Sequence, residues 1–317
     1  MKIIFLGTPT FAVASLKILV ENGYNIVGVI TAPDKPSGRG QKTTASEVKT
    51  YALSVGLHVL QPLKMSDPDF LKEVKSLNAD LQIVVAFRMM PEVLWNMPPG
   101  GTFNLHGSLL PQYRGAAPIN RAIMNGETKT GLTTFFLKHE IDTGDIIFRK
   151  EINIGENEDA GELHDRMKIV GAELVLKTVK AIEHKSVMEK SQQALLDEGE
   201  KIIDAPKIFK ADCKLDLSRN VQDLHNQIRG LSPYPGAFIE MEMPDGSIVP
   251  VKILKSLPEL AGTVLTHELI TDGKSMLKLS AADGFINILE IQMAGKKRMK
   301  TEELLRGYSF PVDARIL

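Results

Sequence analysis

The chain opens by alternating short, almost uninterrupted apolar runs with segments of helical periodicity, and that alternation leaves few folds open. KIIFLG, a helix from Phe11 to Glu21, NIVGVIT, a helix near Ser46 to Ser54, LHVLQ, a helix near Asp69 to Ser76 and LQIVVAF read as successive βα units. Strands with so few polar interruptions are buried on both faces, which requires a mostly parallel sheet between layers of helices. The pattern continues with a helix from Pro118, strands GLTTFFL and DIIFRKEINI, and a long helix through roughly Ala160 to His184. Open sheets of this kind bind ligands beyond the carboxyl ends of their strands, so the loops after Leu6, Ile30, Phe87 and Leu105 are the places for chemistry.

From Pro206 the pattern changes. A helix, NVQDLHNQIRGL, leads through PYPG into AFIEMEM, SIVPVKIL, GTVLT, SMLKLSA and FINILEIQM, split by turns such as Pro244-Asp245-Gly246 and Asp272-Gly273. About five short strands with turn punctuation predict a small closed or half-closed, OB-like β-barrel. The stretch from Lys185 to Pro206 holds SQQ and DEGEK, loses periodicity and reads as a linker. The expectation is therefore a Rossmann-like α/β domain over 1–185, a linker over 186–205 and a C-terminal β-barrel domain over 206–317. A chain of 317 residues suits two domains.

Several function classes are disfavoured by composition. Cys213 is the only cysteine, so no intramolecular disulfide or cysteine metal cage can form within one chain, and no metal is expected. The apolar run in MKIIFLGTPTF is broken by Gly7 and Pro9 before it can serve as a signal peptide core. No run approaches the roughly 18 apolar residues of a membrane span, so a cytoplasmic protein without a membrane partner is expected. Lys and Arg number 38 against 39 Asp and Glu, which excludes a bulk polycation. A polyanion would have to meet local patches: Lys35, Arg39 and Lys42 in PDKPSGRGQK, and Lys296, Lys297, Arg298 and Lys300 in AGKKRMK. Taken alone, each reads as a solvated face.

The first turn, Gly7-Thr8-Pro9, lacks the second and third glycines of the dinucleotide fingerprint, which disfavours a nicotinamide or flavin cofactor. The centre of interest is TFNLHGSLLPQYRGAAPI. Side chains alternate along a strand, so Asn104 and His106 share a face at the strand's carboxyl end. An amide and an imidazole side by side can both donate hydrogen bonds to one developing oxyanion. Asp142, in HEIDTGDIIF, reads by itself as part of an acidic turn. Placed beside His106, its charge would stabilise an imidazolium.

FNLHGSLLPQYRGAAPIN, with FLGTPTFA before it and GLTTFFLKHEIDTGDII behind it, resembles the folate-dependent formyltransferases over nearly the whole chain. The resemblance implies 10-formyltetrahydrofolate as formyl donor and no metal. It places Asn104, His106 and Asp142 on the family's catalytic asparagine, histidine and aspartate. Ser108, Leu109, Leu110 and Pro111 fall on its signature. The loop in VVAFRMMPEVLW departs from many relatives by one extra residue, and its Arg88, Met89 and Met90 are implied neighbours of the pterin. Among formyl acceptors, the resemblance favours initiator methionyl-tRNA. Arg39 stands at the basic position of an insertion that reaches the acceptor end, with Lys35 and Lys42 beside it. Lys296, Lys297, Arg298 and Lys300 lie in a segment similar to the tRNA-binding domain. A nucleotide-linked amino sugar is the alternative acceptor. A glycinamide ribonucleotide acceptor leaves the C-terminal barrel unexplained, and retention of all three polar residues speaks against a non-catalytic RNA-binding module.

Overall fold

Seven strands build the first sheet: β1 (Lys2–Gly7), β2 (Asn25–Ile30), β3 (Val59–Leu60), β4 (Leu81–Val85), β5 (Thr102–His106), β6 (Lys129–Phe136) and β7 (Ile146–Asn153). Their order is β7-β6-β5-β4-β1-β2-β3. β1 to β5 run parallel, and β6 lies antiparallel to β5. The computed structural model describes residues 1–37, 42–263, 267–311 and 313–317, without the side chains at 36, 37, 42 and 43. The described residues divide into two units, one of Met1–Gly115, Gly131–Ile152 and His164–Asp204, the other of Ala116–Thr130, Asn153–Leu163 and Ala205–Leu317.

The apolar runs behave as their composition requires. Ile3, Ile4, Phe5 and Leu6 are all at most 1% exposed, so β1 is covered on both faces. Phe103 and Phe135 are fully buried on neighbouring strands, each worth about 1.5–3 kcal/mol of transfer free energy. The first helix, α1 (Thr10–Glu21), buries Phe11, Ala12, Ser15, Leu16 and Leu19 as one stripe. Gly7 lets it approach, because a Cβ there would lie 2.6 Å from that of Ala12. α2 (Glu47–Ser54) is capped by Ser46, whose Oγ accepts from the Lys49 N–H at 3.1 Å. α3 (Pro68–Ser76) begins on a proline after Asp67, whose carboxylate accepts from Asp69 and Phe70 N–H. Strand order reverses between β1 and β4, so the loops leaving β1, β4 and β5 surround the crevice where such sheets bind ligands. Between β2 and α2, Lys35–Ser37 pairs antiparallel with Lys42–Thr44, making a ribbon of the expected basic insertion.

The second unit contains α4 (Pro118–Met124), α5 begins within it (Ala160–Glu183), and α6 (Val221–Leu231) packs on an antiparallel sheet. That sheet comprises β8 (Ala237–Glu242), β9 (Ile248–Leu260), β10 (Leu269–Thr271), β11 (Leu277–Ala281), β12 (Gly284–Met293), β13 (Met299–Lys300) and β14 (Arg315–Ile316). The order is β10-β11-β12-β9-β8-β14, with β13 beside β12. The terminal strands β10 and β14 line one shared cleft, so the sheet is a nearly closed barrel. β9 runs six residues beyond the expected SIVPVKIL because its whole far half pairs with β12. β13 and β14, two residues each, are too short to show a period. The expected strand GTVLT falls mainly on Val264, Leu265 and Thr266, outside the described residues. No described helix is long and apolar enough to cross a membrane.

Under α6 lies a buried polar cluster. His225 is 2% exposed, and its Nδ1 lies 3.0 Å from Ser256 Oγ. Arg229 donates to Asn226 Oδ1 at 2.9 Å and to the Glu158 carbonyl at 3.2 Å. Burial pushes the His225 imidazole down to about 4, and the Arg229 charge acts in the same direction. The folded state therefore keeps His225 neutral over a pH range where the unfolded chain protonates it. Its contribution to stability is complete above about pH 6.5 and is lost as pH falls toward 4. In urea unfolding, His225→Gln should stabilise the protein relative to wild type by about 2 kcal/mol more at pH 5 than at pH 7.

Candidate active site

Asn104 and His106 stand on one face of β5, the strand where the sheet passes from parallel to antiparallel. His106 is buried beside Phe135, with ring centroids 6.5 Å apart in edge contact. Its Nε2 lies 2.8 Å from the Tyr113 carbonyl. A carbonyl only accepts, so Nε2 carries a proton and Nδ1 is the ring atom left for chemistry. Nδ1 faces Asp142 Oδ2 at 3.7 Å, with side-chain exposures of 7% and 13%. That gap exceeds a direct hydrogen bond and admits a shared donor or a bridging water.

Asp142 reaches this place through a turn between β6 and β7. The Gly115 N–H donates to the same Oδ2 at 3.0 Å. The residue holds a left-handed φ of 56°, uncommon outside glycine but tolerated by aspartate. Two residues later, a Cβ at Gly144 would run into the Phe136 carbonyl, so only glycine fits the close return of the chain. Lys138 and Asp145 close the turn at 2.7 Å. Asn104 is partly exposed, and no described residue hydrogen-bonds its amide. An unengaged amide, an imidazole with one nitrogen tied back and a half-buried carboxylate form a set that can stabilise an oxyanion and move a proton. No group of side chains that could hold a metal ion occurs among the described residues.

The signature loop after β5 is built from within. Thr133 Oγ1 donates to the Ser108 carbonyl at 2.7 Å and accepts from the Leu110 N–H at 3.1 Å. Ser108 Oγ donates to the Gln112 carbonyl at 2.6 Å, and Arg149 donates to the Leu110 carbonyl at 3.2 Å. Ser108, Leu110 and Pro111 are buried, the Leu110–Pro111 peptide is cis, and Leu109 packs where a Cβ on Gly131 would collide. The Ser108 hydroxyl is already committed to the backbone. In the loop after β4, Arg88 donates to the Pro62 carbonyl at 2.5 Å, Met89 is exposed, and Met90 packs against the core that holds Phe70 and Leu94. Of the three, Met89 is the residue left open.

The basic residues fall in separate places. Lys35 is exposed on the ribbon, Arg39 lies outside the described residues, and only the backbone of Lys42 is described. In the second unit, Lys296, Lys297 and Lys300 are exposed, whereas the Arg298 guanidinium is paired with Glu290. Tyr113, Gly115, Thr133 and Gln192 were not singled out from the sequence. Tyr113 and Gly115 act through backbone atoms, which carry no residue-type signal, and Thr133 sits in an ordinary strand. Gln192, 3% exposed, lies in the aperiodic stretch read as a linker.

Comparison with known proteins identifies the family. A model of the formyl transferase family matches residues 1–179, and one of the formyl transferase C-terminal domain matches residues 207–309. A methionyl-tRNA formyltransferase of Bacteroides fragilis is 52% identical over 97% of this chain and 95% of its own. One of Flavobacterium johnsoniae is 49% identical over 100% of this chain and 99% of its own. Among solved structures, an N-formyltransferase from Helicobacter canadensis, in complex with folinic acid and dTDP-3-aminofucose, shares the fold with a TM-score of 0.66. Its identity is 23%, over 92% of this chain and 99% of that one.

Thr133→Val should lower the unfolding free energy by roughly 1–3 kcal/mol, since the buried Leu110 N–H then has no acceptor. Urea unfolding followed by circular dichroism reads this directly.

Proposed function

The chain belongs to the formyl transferase family, and from that premise we propose that it moves the formyl group of 10-formyltetrahydrofolate to the amino group of methionyl-initiator tRNA. The product is formylmethionyl-tRNA, the substrate of translation initiation, which places the protein in the cytoplasm. The observation that carries the chemistry is the meeting of His106 and Asp142 at 3.7 Å beside the unengaged amide of Asn104. What supports the acceptor is the name borne by relatives about half identical over almost the whole chain.

In this reading the acceptor's neutral amine adds to the formyl carbon, and the formyl oxygen takes up negative charge. Asn104 Nδ2 donates to that oxygen, a contribution on the order of 3–4 kcal/mol for one such donor. A proton on His106 Nδ1 supplies the second donor. The Tyr113 carbonyl keeps the ring from turning, and Asp142 balances its charge. The attacking nitrogen must lose a proton, and the departing folate nitrogen must gain one. Asp142, directly or through one water, carries that transfer, which contributes roughly 10²–10⁴ in rate. Ser108, Leu109, Leu110, Pro111 and the Arg88–Met90 loop border the folate side.

Formyl transfer is assigned to residues 1–185 and tRNA binding to the barrel over 206–317, joined by 186–205. Lys35 and Lys42, and Arg39 between them in sequence, meet the acceptor end, where arginine can pair bidentately with phosphate or stack on an unpaired base. Lys296, Lys297 and Lys300 contact the tRNA backbone. Arg298 contributes less, because Glu290 already partners it.

Purified protein given 10-formyltetrahydrofolate and methionyl-initiator tRNA should release formylmethionine after mild hydrolysis. Asp142→Asn or His106→Ala should lose roughly 10²–10⁴ in kcat while remaining folded. Near-normal turnover in either variant would refute the assigned roles, and product only with nucleotide-linked amino sugars would replace the acceptor. Arg39→Ala should raise KM for tRNA and leave folate affinity unchanged. Equal loss of both would place the ribbon elsewhere.

A further inference from the structure

We infer that Gln192 is a positioning residue for formyl transfer, acting on Asp142 from the stretch that joins the two matched family domains. This rests on the catalytic reading of His106 and Asp142. Gln192 Nε2 donates to the Asp142 carbonyl at 2.8 Å and to the Gly144 carbonyl at 2.9 Å. Its Oε1 accepts from Arg114 Nε at 3.0 Å and Nη2 at 2.7 Å. One buried amide thus spends all of its near-planar donor and acceptor capacity on the two segments that hold the carboxylate. Arg114 precedes Gly115, whose N–H binds Asp142 Oδ2, so Gln192 ties the backbone of Asp142 to the backbone that fixes its side chain.

Asp142 needs this support more than most residues. It sits at a turn whose preceding Glu140 and Ile141 are exposed, and it holds a left-handed φ of 56° that a non-glycine residue leaves unless its surroundings fix it. Gln192 is itself anchored: Ile146 and Lys190 exchange both backbone hydrogen bonds, at 2.8 and 2.9 Å. Further along, the same stretch reaches the other partner of His106. The Tyr113 N–H donates to the Ile203 carbonyl at 2.6 Å, and Gln112 Oε1 accepts from the Ile203 N–H at 2.8 Å. Gln112 Nε2 also donates to Glu200 Oε1 at 2.7 Å. Residues 190–203 therefore hold the main chain of both residues that flank the imidazole, Tyr113 through its N–H and Asp142 through its carbonyl. A composition that reads as a connection does a second job by holding the spacing across His106.

The test is a double-variant cycle measured with 10-formyltetrahydrofolate and methionyl-initiator tRNA. Gln192→Met keeps length and loses every hydrogen bond. Gln192→Glu keeps the acceptor for Arg114 and loses the donors to the two carbonyls. Both should lower kcat by about 10- to 100-fold, with KM for tRNA changed by less than about twofold, because a displaced catalytic group costs rate rather than binding. In an Asp142→Asn background, where no carboxylate is left to position, the same substitutions should change kcat by less than about twofold. Thermal melting identifies any variant that fails to fold, and Gln192→Glu carries the test if Gln192→Met does. Unchanged kcat in both folded single variants overturns the inference, and so does an equal loss in both backgrounds, which marks general structural support. A wild-type protein that forms no formylmethionyl-tRNA would overturn the catalytic reading and this inference with it, whereas an active wild type with active Gln192 variants overturns this inference alone.

Discussion

The hydrogen bond from His106 Nε2 to the Tyr113 carbonyl is the constraint on which the site depends. It fixes the ring's rotation, assigns a proton to one nitrogen and leaves the other facing Asp142. Without it, an imidazole at the end of a strand has two rotamers and two tautomers to choose from, and the carboxylate opposite it has no defined partner. The bond is made to a backbone atom in a loop whose φ at Tyr113 is 60°, so the accepting carbonyl is aimed by conformation and not by residue type. Thr133, Ser108 and Arg149 hold that loop through hydrogen bonds to its main chain, and the Gln112 side chain ties it to the Ile203 N–H. Preorganisation of this kind is what lets a site stabilise charge at low reorganisation cost.

Placement of the site follows from burial. β5 lies inside the sheet with Phe103 and Leu105 on one face and Thr102, Asn104 and His106 on the other, and His106 stands at the end where the sheet opens into loops. Reversal of strand order brings the loops after β1, β4 and β5 to one edge. Gly7 serves the close packing of α1 there, while Arg88 and Met90 are held by the carbonyl of Pro62 and by the core. In the signature, the Ser108 hydroxyl and carbonyl and the Leu110 N–H and carbonyl are already hydrogen-bonded within the protein.

The second unit obeys a different balance. Its nearly closed sheet is packed by Val221, Leu224, Ile228 and Leu231 of α6, while the buried Arg229 of the same helix donates to Asn226 and to the Glu158 carbonyl. Charge on its surface is local. Three lysines of the AGKKRMK stretch face solvent, and its arginine is neutralised by Glu290. A basic string in a sequence is therefore an upper bound on the positive charge available to a polyanion.

By itself the sequence determined the layered α/β architecture, the β-rich C-terminal unit and the strand face shared by Asn104 and His106, since hydrophobic period and side-chain alternation are local properties. Motif resemblance extended this to Asp142 and to the formyl-transfer chemistry. Only the tertiary structure decided that Asp142 stands 3.7 Å from His106, that Tyr113 and Gly115 act through their main chains, and that Gln192 reaches Asp142 across 50 positions. These are pairings between segments distant in the chain, made largely by backbone atoms common to every residue type. No local pattern of side chains records them, because the forces that create them exist only once the sheet has brought the segments together.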